Sequence, residues 1–471
     1  MTQSIKLVGL DCGSTTTSAV IAKAQLVRGA LGRVEITSLE PVFRSETVFT
    51  PFDDDRIDAA RMEQYVDDWL KTVSLSSADI FGGGALITGL AAQSTNAAAV
   101  SRLIEARLSD SLVVTADDPR LESWLAFMGN CHALSKAQPR TPILNLDIGG
   151  GTTNLALGLD GQVVTTGCLF VGARHFQFVP GTYQLVHLSP YAAALLAHLK
   201  INRHIGDSLT PAELDAILDF YLMLIEATVL GQDEKLASEI AQRHIQVPLN
   251  VSELIGQKFA ITLSGGVGQL VYAQRAAGSP GPITQFGDLG GELATRVSQS
   301  STIASRLDAV VPEGLGRATV YGLLKHNTEL SGTTLYLPKP ERLPLKNIPI
   351  VGTLGLDATD DELASMVDLA GRGAPGGCIE IGLEKQDLAA VRQLGNRLAN
   401  CLQARPLPCD RVLILLVPEN LGKVLGNYVS RWGTLEIDLI AIDEVPSRDA
   451  RFLHLGRMQQ GIVPVWLYGM Q

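Results

Sequence analysis

Residues 142–157 read PILNLDIGGGTTNLAL. One apolar run reaches Asp147, three glycines and two threonines follow, and a second apolar run begins at Leu155, which predicts a strand, a tight turn and a second strand. Glycine lacks a Cβ atom, so backbone N–H groups in such a turn can approach an anion closely, and threonine hydroxyls add donors. Glycine-rich hairpins without a ligand have the same pattern, so the stretch by itself is equally compatible with a purely structural turn.

Asp147 adds chemical information to this hairpin. A carboxylate beside a phosphate-binding turn would repel the phosphate unless a divalent metal ion lay between the two groups. Mg²⁺ is typically bound through one or two carboxylates together with phosphate oxygens and water. The stretch therefore favours a metal–nucleotide complex over bare phosphate.

A second stretch near the amino terminus has the same order of residue types. Residues 5–20 read IKLVGLDCGSTTTSAV, in which an apolar run reaches Asp11, a glycine and hydroxyl residues follow, and a further apolar run begins at Ala19. Two hairpins of one kind predict a duplicated domain with a cleft between its halves.

The composition restricts the class of protein. The chain has 471 residues, more than one hydrophobic core usually organises, and 46% of them are apolar. Its net charge of −11 argues against sequence-independent nucleic-acid binding, which depends on clustered Lys and Arg. The amino-terminal residues have neither the charge nor the apolar length of a secretory signal, and no run approaches the roughly 18 apolar residues that cross a bilayer.

Cysteines and histidines predict neither a disulfide framework nor a zinc site. The six cysteines form no C-x-x-C pair and are widely scattered, as expected for reduced thiols in a cytosolic protein, and the eight histidines are dispersed. The sequence also lacks a Walker-type phosphate loop, an H-E-x-x-H zinc helix and a G-x-S-x-G nucleophile turn.

Two carboxylates precede the second hairpin. A strand predicted at 113–115 leads into Asp118, Pro119 and Glu122 at the start of a helix, where proline fits the first turn and acids suit the helix dipole. An ordinary first-turn acid is one interpretation of Glu122. The position of this helix as a connector between the two halves raises a second, that Glu122 or Asp118 faces the cleft.

The chain after the second hairpin contains a strand at 259–263 that ends in SGGVG, residues 264–268. Small residues at a strand end allow a flat ring to lie against the backbone, so Gly265 and Gly266 are candidates for a nucleoside contact, with a structural strand-to-helix turn as the alternative. A capping box at Thr210 opens a helix with an apolar stripe that we interpret as core. Arg317 begins a helix expected to return across the cleft.

Near Leu330 the composition of the sequence changes. Prolines at 338, 340, 344 and 349 indicate a boundary, and the remaining residues predict a separate α/β unit. This divides the chain into residues 1–141, 142–330 and 331–471. Glycines 371, 373 and 376 match G-x-G-x-x-G, but they follow a helix and precede a strand, the reverse of the dinucleotide-binding context.

The order of these motifs resembles the superfamily of actin, sugar kinases and heat-shock chaperone ATPases. That superfamily has a first phosphate loop, a connecting helix, a second phosphate loop, an adenosine-site glycine pair and a second connecting helix, which are similar to residues 11–17, 118–129, 147–154, 263–268 and 317–324. The resemblance implies an α/β fold with duplicated actin-like (ribonuclease H-like) ATPase domains around a nucleotide cleft and a smaller carboxy-terminal α/β domain.

The sequence resembles more closely the ATPases that reactivate cobalamin enzymes, in particular the ethanolamine ammonia-lyase reactivating factors. The similar segments are LNLDIGGGT at 144–152, TLSGGVG at 262–268, RATV at 317–320 and AIDEV at 441–445. Two departures occur: in that family an acid follows the Thr-Gly pair that is here Thr88-Gly89, and a smaller turn replaces residues 321–324. The first departure puts a polar contact in the cleft in question, and the second puts the close packing of the helix at 317–324 in question.

What the resemblance implies is an ATP-dependent chaperone that releases damaged cobalamin from adenosylcobalamin-dependent ethanolamine ammonia-lyase so that intact cofactor can rebind. ATP and Mg²⁺ are the implied cofactors, with the metal held by Asp11 and Asp147, mostly through water. Glu122 or Asp118 is expected to orient the attacking water. The implied nucleotide-binding residues are Gly13, Ser14, Thr15, Thr16, Gly149, Gly150, Gly151, Thr152, Thr153, Gly265 and Gly266.

Two other functions are compatible with the sequence. One is a small-molecule kinase of the same superfamily, and the other is an actin-like or nucleotide-sensing assembly protein. The expected partner is ethanolamine ammonia-lyase, with no nucleic acid and no membrane, and the chain is compatible with either a monomer or a homodimer. The expected location is cytoplasmic, free or in association with a bacterial microcompartment.

Overall fold

The computed structural model describes residues 2–28, 34–53, 56–92, 94–108, 111–115, 119–251, 258–312, 314–332, 334–382, 388–446 and 449–470. Across these ranges, no helix combines the length and the apolar character that crossing a membrane would require.

The strands are β1 (Thr2–Cys12), β2 (Thr16–Arg28), β3 (Val34–Arg44), β4 (Val48–Phe49), β5 (Phe52–Asp53), β6 (Arg56–Ile57), β7 (Ile80–Ile87), β8 (Leu112–Thr115), β9 (Ile143–Ile148), β10 (Thr153–Leu159), β11 (Gln162–Leu169), β12 (Phe176–Phe178), β13 (Leu185–Leu188), β14 (Ile245–Val247), β15 (Ala260–Ser264), β16 (Glu329–Ser331), β17 (Leu345–Gly355), β18 (Gly376–Gly382), β19 (Val412–Val417), β20 (Leu439–Asp443), β21 (Ala450–Leu455) and β22 (Val463–Met470).

The helices are α1 (Ala59–Thr72), α2 (Ala97–Arg107), α3 (Pro119–Asn130), α4 (His132–Ala137), α5 (Pro190–His198), α6 (Pro211–Leu230), α7 (Asp233–Leu236), α8 (Glu239–Arg243), α9 (Gly265–Ala277), α10 (Gly290–Gln299), α11 (Ser301–Ala304), α12 (Ala318–His326), α13 (Asp360–Arg372), α14 (Leu388–Ala404) and α15 (Gly422–Val429).

The first sheet has the strand order β3-β2-β1-β7-β8. β1 is antiparallel to β2 and parallel to β7, so the first hairpin and the crossover through α1 lie on opposite sides of β1. Because side chains alternate along a strand, Val8 and Leu10 pack in the core under α1 and α2, whereas Ile5 and Leu7 pack in a second core that includes residues of α12. The sheet is therefore buried on both faces.

The second sheet repeats this arrangement, with the order β14-β11-β10-β9-β15. β9 is antiparallel to β10 and parallel to β15, as β1 is to β2 and β7. Leu144, Leu146 and Ile148 point into a core shared with α6, α9 and α10. Asp147 lies on the opposite face of β9, because its position alternates with theirs. The repeated strand order confirms the predicted duplication.

The local sequence of α6 determines where this helix begins and ends. Thr210 and Glu213 form the predicted capping box, and Gly231 in the left-handed conformation ends the helix. The predicted apolar stripe of α6 is buried except for Leu222, which is half-buried. This helix packs together with α5 and α8 in the core of the second sheet.

Helices α3 and α12 cross between the two halves. A Cβ atom built on Gly322 would lie 2.2 Å from the carbonyl oxygen of Leu125, so only glycine permits this approach of the two backbones. The question raised by the larger residues at 321–324 is thus answered, since the helices remain in close contact.

The third sheet has the order β16-β22-β21-β17-β18-β19-β20, and its parallel strands β17 to β20 alternate with α13, α14 and α15. Gly371 lies in the last turn of α13, Gly373 follows that helix and Gly376 begins β18, so these glycines have the predicted helix-to-strand context. The buried ring of Trp466 joins this sheet to the crossing helices, because it shares a cluster with Leu121, Leu125 and Leu323.

Candidate functional site

The turns of the two hairpins lie on opposite walls of one cavity of about 570 Å³. Its lining includes most of the residues predicted from the sequence, which are Asp11, Gly13, Ser14, Thr15, Thr16, Glu122, Asp147, Gly149, Gly150, Gly151, Thr152, Gly265 and Gly266. Residues separated by up to 255 positions therefore share one crevice. Asp118 lies outside the described residues.

The hairpins are in contact across the cavity. A Cβ atom built on Gly150 would lie 1.9 Å from Oγ1 of Thr15 and 3.2 Å from its Cβ. Within the described residues the Thr15 hydroxyl has no hydrogen-bond partner, although it is buried. A side chain at position 150 would displace Thr15, so Gly150 favours the close approach of the two turns, and the Thr15 hydroxyl remains available to a ligand.

Asp11 is the penultimate residue of β1, and its two carboxylate oxygens differ in their hydrogen bonding. Thr319 of α12 donates a hydrogen bond of 2.7 Å to Oδ2, and Oδ1 has no partner among the described residues. Burial raises the pKa of Asp11 to about 6, an effect that the Thr319 hydrogen bond reduces. A carboxylate in this state is well suited to a cation, because the charged form is insufficiently solvated by the protein.

Asp147 is held by a chain of buried polar side chains. Ser264 donates a hydrogen bond of 2.6 Å to Oδ1 of Asp147, and Asn145 donates one of 3.0 Å to the Ser264 hydroxyl. Asn130 of α3 in turn donates to Asn145 at 2.9 Å. Burial raises the pKa of Asp147 to about 6 despite the Ser264 bond. This chain of hydrogen bonds fixes the carboxylate of Asp147, which lines the cavity.

Glu122 lies in the first turn of α3 and is only 8% exposed. Burial, followed by the charges of Asp11 and Asp147, raises the pKa of Glu122 well above its usual value, while hydrogen bonds from Thr88 and Asn154 favour the charged form. A first-turn acid with no other role would be solvated. The observed burial beside two further carboxylates supports the interpretation that Glu122 faces the cleft.

The side chain of Thr153 does not line the cavity, so the prediction that its hydroxyl contacts a ligand is not supported. The residue is fully buried, and its hydroxyl donates a hydrogen bond of 2.8 Å to the carbonyl oxygen of Val171. Alternation along β10 places neighbouring side chains on opposite faces, and Thr152 is the one that lines the cavity. The sequence could not distinguish two adjacent threonines without knowing where the strand begins.

The glycine pair after β15 opens helix α9 at the cavity. Gly265 has φ +76°, a left-handed conformation, and a Cβ atom there would lie 2.5 Å from the carbonyl oxygen of Ile148. A Cβ atom on Gly266 would meet nothing within 4 Å. Gly265 is therefore required by the turn, whereas Gly266 leaves open space beside the helix.

Sequence reasoning missed several residues of the cavity wall. Thr88, Asn154 and Thr319 each contact one of the carboxylates, and the aromatic rings of Phe49 and Phe286 also line the cavity. Asn154 belongs to the second hairpin motif but was not singled out. Thr88 provides a polar group at the cleft, next to the position where the family has an acidic residue and this chain does not. Phe286 lies in a loop without a motif, so only its tertiary position reveals it.

The charged side chains in the described lining of the cavity are all acidic. Four carboxylates line the cavity, those of Asp11, Glu122, Asp147 and Asp288, and the described lining contains no Lys, Arg or His. A nucleoside triphosphate would be repelled by these groups unless a cation came with it. Among the described residues, no three Asp, Glu, His or Cys side chains are grouped closely enough to hold a metal ion together.

The duplicated strand order and the two opposed hairpins define the actin-like fold, the two-lobed fold of actin, sugar kinases and heat-shock chaperone ATPases. The chain belongs to the family of the ethanolamine utilisation protein EutA, whose family model matches residues 3–469.

Relatives match along nearly their whole length. The chain is 29% identical to ethanolamine ammonia-lyase reactivase EutA of Escherichia coli K12 over 495 aligned positions and 28% identical to the protein of the same name from Salmonella typhimurium, with 98% of each chain covered in both cases. The solved PPX-GPPA enzyme of Aquifex aeolicus is similar at a TM-score of 0.35 and 14% identity, over 58% of this chain and 72% of that one. This likeness is weak, so the fold assignment depends on the chain's own strand order.

Proposed function

We propose that the chain binds a Mg²⁺–ATP complex between its hairpins and hydrolyses it, and that hydrolysis drives the release of damaged cobalamin from ethanolamine ammonia-lyase. The single observation that carries the nucleotide site is the pair of opposed hairpins on a cavity with four carboxylates and no Lys or Arg in its described lining. The family, and the names of the two bacterial relatives, support the client enzyme.

Each wall residue then has a role that follows from its position. Asp11 and Asp147 would hold the metal through its water, since each has one oxygen anchored by a hydroxyl. Mg²⁺ supplies the positive charge that neutralises the phosphates. Backbone amides and hydroxyls of the two hairpins would bind the phosphates. Glu122, fixed by Thr88 and Asn154, would accept a hydrogen bond from the attacking water and orient it.

The crossing helices offer a route from the cavity to the rest of the chain. Thr319 of α12 contacts Asp11, and Glu122 belongs to α3, so both helices have a residue at the site. Trp466 of the third sheet packs against both helices. A nucleotide that bridges the hairpins favours the closed cavity, and loss of the γ-phosphate removes that bridge, which would shift α3 against α12 and displace the third sheet.

A reactivation assay tests this proposal. Ethanolamine ammonia-lyase inactivated with cyanocobalamin is mixed with the chain, ATP, Mg²⁺ and fresh adenosylcobalamin, and both ADP and deaminase activity are measured. We expect deaminase activity to recover in step with ADP, and to fail without ATP or Mg²⁺. ADP formation without recovery would leave an ATPase and remove the chaperone function.

Controls separate the two other functions. A phosphorylated metabolite that appears in step with ADP would show a small-molecule kinase. Light scattering that rises with ATP would show polymerisation, and nucleotide binding without ADP formation would show a sensor. Any of these results in place of reactivation would contradict the proposal.

A further inference from the structure

Trp432 is held outward on the carboxy-terminal unit. Its side chain is 69% exposed, more than any other large apolar side chain in the described ranges. Arg431 and Trp432 have φ values of 50° and 58°, in the left-handed region that residues of this size rarely adopt. Such strained positions are concentrated at ligand clamps and switch regions.

The loop that presents Trp432 is ordered by hydrogen bonds. The backbone N–H of Trp432 donates to the carbonyl oxygen of Asn427 at 2.7 Å, and that of Leu435 donates to Ser430 at 3.0 Å. The ring of Trp432 stands edge-on to that of Tyr428, with centroids 5.9 Å apart. The exposed ring is therefore held in place by its own helix end.

Helix α14 extends the same surface. Arg392, Asn396 and Asn400 are exposed and recur every four residues, so they lie on one side of the helix. The Arg392 guanidinium lies 5.9 Å from the centroid of the Tyr428 ring, and Arg431 donates a hydrogen bond of 2.7 Å to Asn400. We call this surface the tryptophan face, formed by Arg392, Asn396, Asn400, Tyr428, Arg431 and Trp432.

The tryptophan face is positive in a chain of net charge −11. Of the six residues that form the tryptophan face, Arg392 and Arg431 are positively charged and none is acidic. Arg397 and Arg405 form salt bridges with α13. Within the described part of the chain, neither Arg392 nor Arg431 forms a salt bridge. Their charges are thus available to a partner of opposite sign.

We propose that the tryptophan face docks a carboxylate-rich surface of the client enzyme, with Trp432 in an apolar pocket of that surface. The inference rests on the proposed function. Trp, Tyr and Arg are the residues that most often dominate the binding energy of protein interfaces, and a basic patch is complementary to an acidic partner. The position also fits, because α14 and α15, which carry this face, pack on strands of the third sheet, and Trp466 of that sheet packs against the helices at the cavity.

Trp432→Gly is the decisive variant. Glycine adopts the left-handed conformation without strain, so the variant is expected to be at least as stable as the wild type. Affinity for cyanocobalamin-inactivated ethanolamine ammonia-lyase, measured by surface-immobilised binding, is expected to fall at least tenfold. Hydrolysis of ATP in the absence of client is expected to stay unchanged. Ile205→Ala, which removes another exposed apolar side chain, is the matched control and should bind normally.

Charge reversal tests the chemistry of the partner. Arg392→Glu and Arg431→Glu are expected to weaken binding at about 0.05 M salt and to have a smaller effect at about 0.3 M, where exposed charges are screened. Lys235→Glu, an exposed reversal on the second half, should leave affinity unchanged.

The outcomes separate this inference from the proposed function. If the wild type restores deaminase activity and Trp432→Gly does so equally well at limiting concentration, the face is not the docking site. If Trp432→Gly converts a dimer to a monomer in sedimentation without loss of client affinity, the face binds a second copy and the inference is wrong. If the wild type neither binds nor reactivates the client, the proposed function itself fails.

Discussion

At the scale of single residues, the cavity contains acidic side chains whose negative charge no nearby basic side chain of the described lining neutralises. The carboxylates of Asp11 and Asp147 have pKa values raised to about 6 by burial, and burial also raises the pKa of Glu122 well above its usual value. Groups whose folded pKa exceeds the unfolded value stabilise the fold when protonated, and that contribution is lost as the pH rises through the folded pKa. Without metal, the site therefore opposes folding at neutral pH.

The first prediction concerns Asp11→Asn and Asp147→Asn. Each should raise the stability of the metal-free protein at about pH 8 by about 1–3 kcal/mol, since a raised pKa corresponds to about 1.4 kcal/mol per unit. The gain should shrink toward pH 4, where the native carboxylates are protonated. Thermal melts of both variants and the wild type at several pH values, in chelator, measure the difference. An equal gain at every pH would contradict this account.

The second prediction concerns Glu122→Gln. The amide of glutamine cannot take a proton from the attacking water, and it accepts the hydrogen bond of that water more weakly than a carboxylate does. The rate of ATP hydrolysis should therefore fall by roughly 10²-fold or more, which is typical for loss of a general base. Nucleotide affinity should be retained or improved, since one negative charge leaves the cavity. Single-turnover hydrolysis and equilibrium binding separate the two effects. Glu239→Gln, a change at an exposed first-turn acid of α8, is the control, and a Glu122→Gln rate equal to that of the control would exclude the proposed role.

At the scale of elements, glycines determine how closely the helices approach. Gly322 brings α12 against the backbone of α3, whereas Gly266 faces open space at the start of α9. Alanine at the two sites should therefore have opposite consequences. In a helix alanine is favoured over glycine by up to about 1 kcal/mol, unless its methyl group meets another atom.

The third prediction follows from this contrast. Gly322→Ala should destabilise the protein by about 1–3 kcal/mol through overpacking, because the obstructing atom is a backbone carbonyl. Gly266→Ala should leave stability unchanged or raise it, and should weaken nucleotide binding by filling the open space at the cavity. Chemical denaturation and nucleotide titration of both variants provide the comparison. A loss of stability in Gly266→Ala, or none in Gly322→Ala, would show that the helix packing is misassigned.

At the scale of the whole molecule, the buried ring of Trp466 connects the carboxy-terminal sheet to the crossing helices. Its indole N–H donates a hydrogen bond of 3.0 Å to Thr328, and the ring packs with Leu121, Leu125 and Leu323. Glu122 is adjacent to Leu121 in α3, so a shift of that helix at the cavity would disturb the packing of Trp466.

The fourth prediction is that Trp466→Leu uncouples hydrolysis from reactivation. The variant should lose about 2–4 kcal/mol of stability at this junction, from the smaller side chain and the lost hydrogen bond, yet retain ATP hydrolysis because the cavity is untouched. Deaminase activity recovered per ADP formed should fall. Trp69→Leu, at a half-buried tryptophan of α1, is the control and should keep the wild-type ratio. An unchanged ratio in Trp466→Leu would exclude this route of coupling.

The sequence by itself determined the strands, most helices and the two hairpins, because these depend on neighbouring residues. The apolar run before Asp147, the glycine turn after it and the capping box at Thr210 are all local signals. The repeat of the hairpin also indicated the duplication. These features can be predicted in any chain that has the same short-range patterns.

Only the tertiary structure decided which side chains share the cavity. Thr152 faces it and Thr153 does not, since one register position separates them. Two contacts at the cavity join residues that are far apart in the chain: Gly150 meets Thr15, and Thr319 donates a hydrogen bond to Asp11. Trp432 points outward from a backbone in a strained conformation. Such relations arise from packing between elements, to which no local pattern of residues is sensitive.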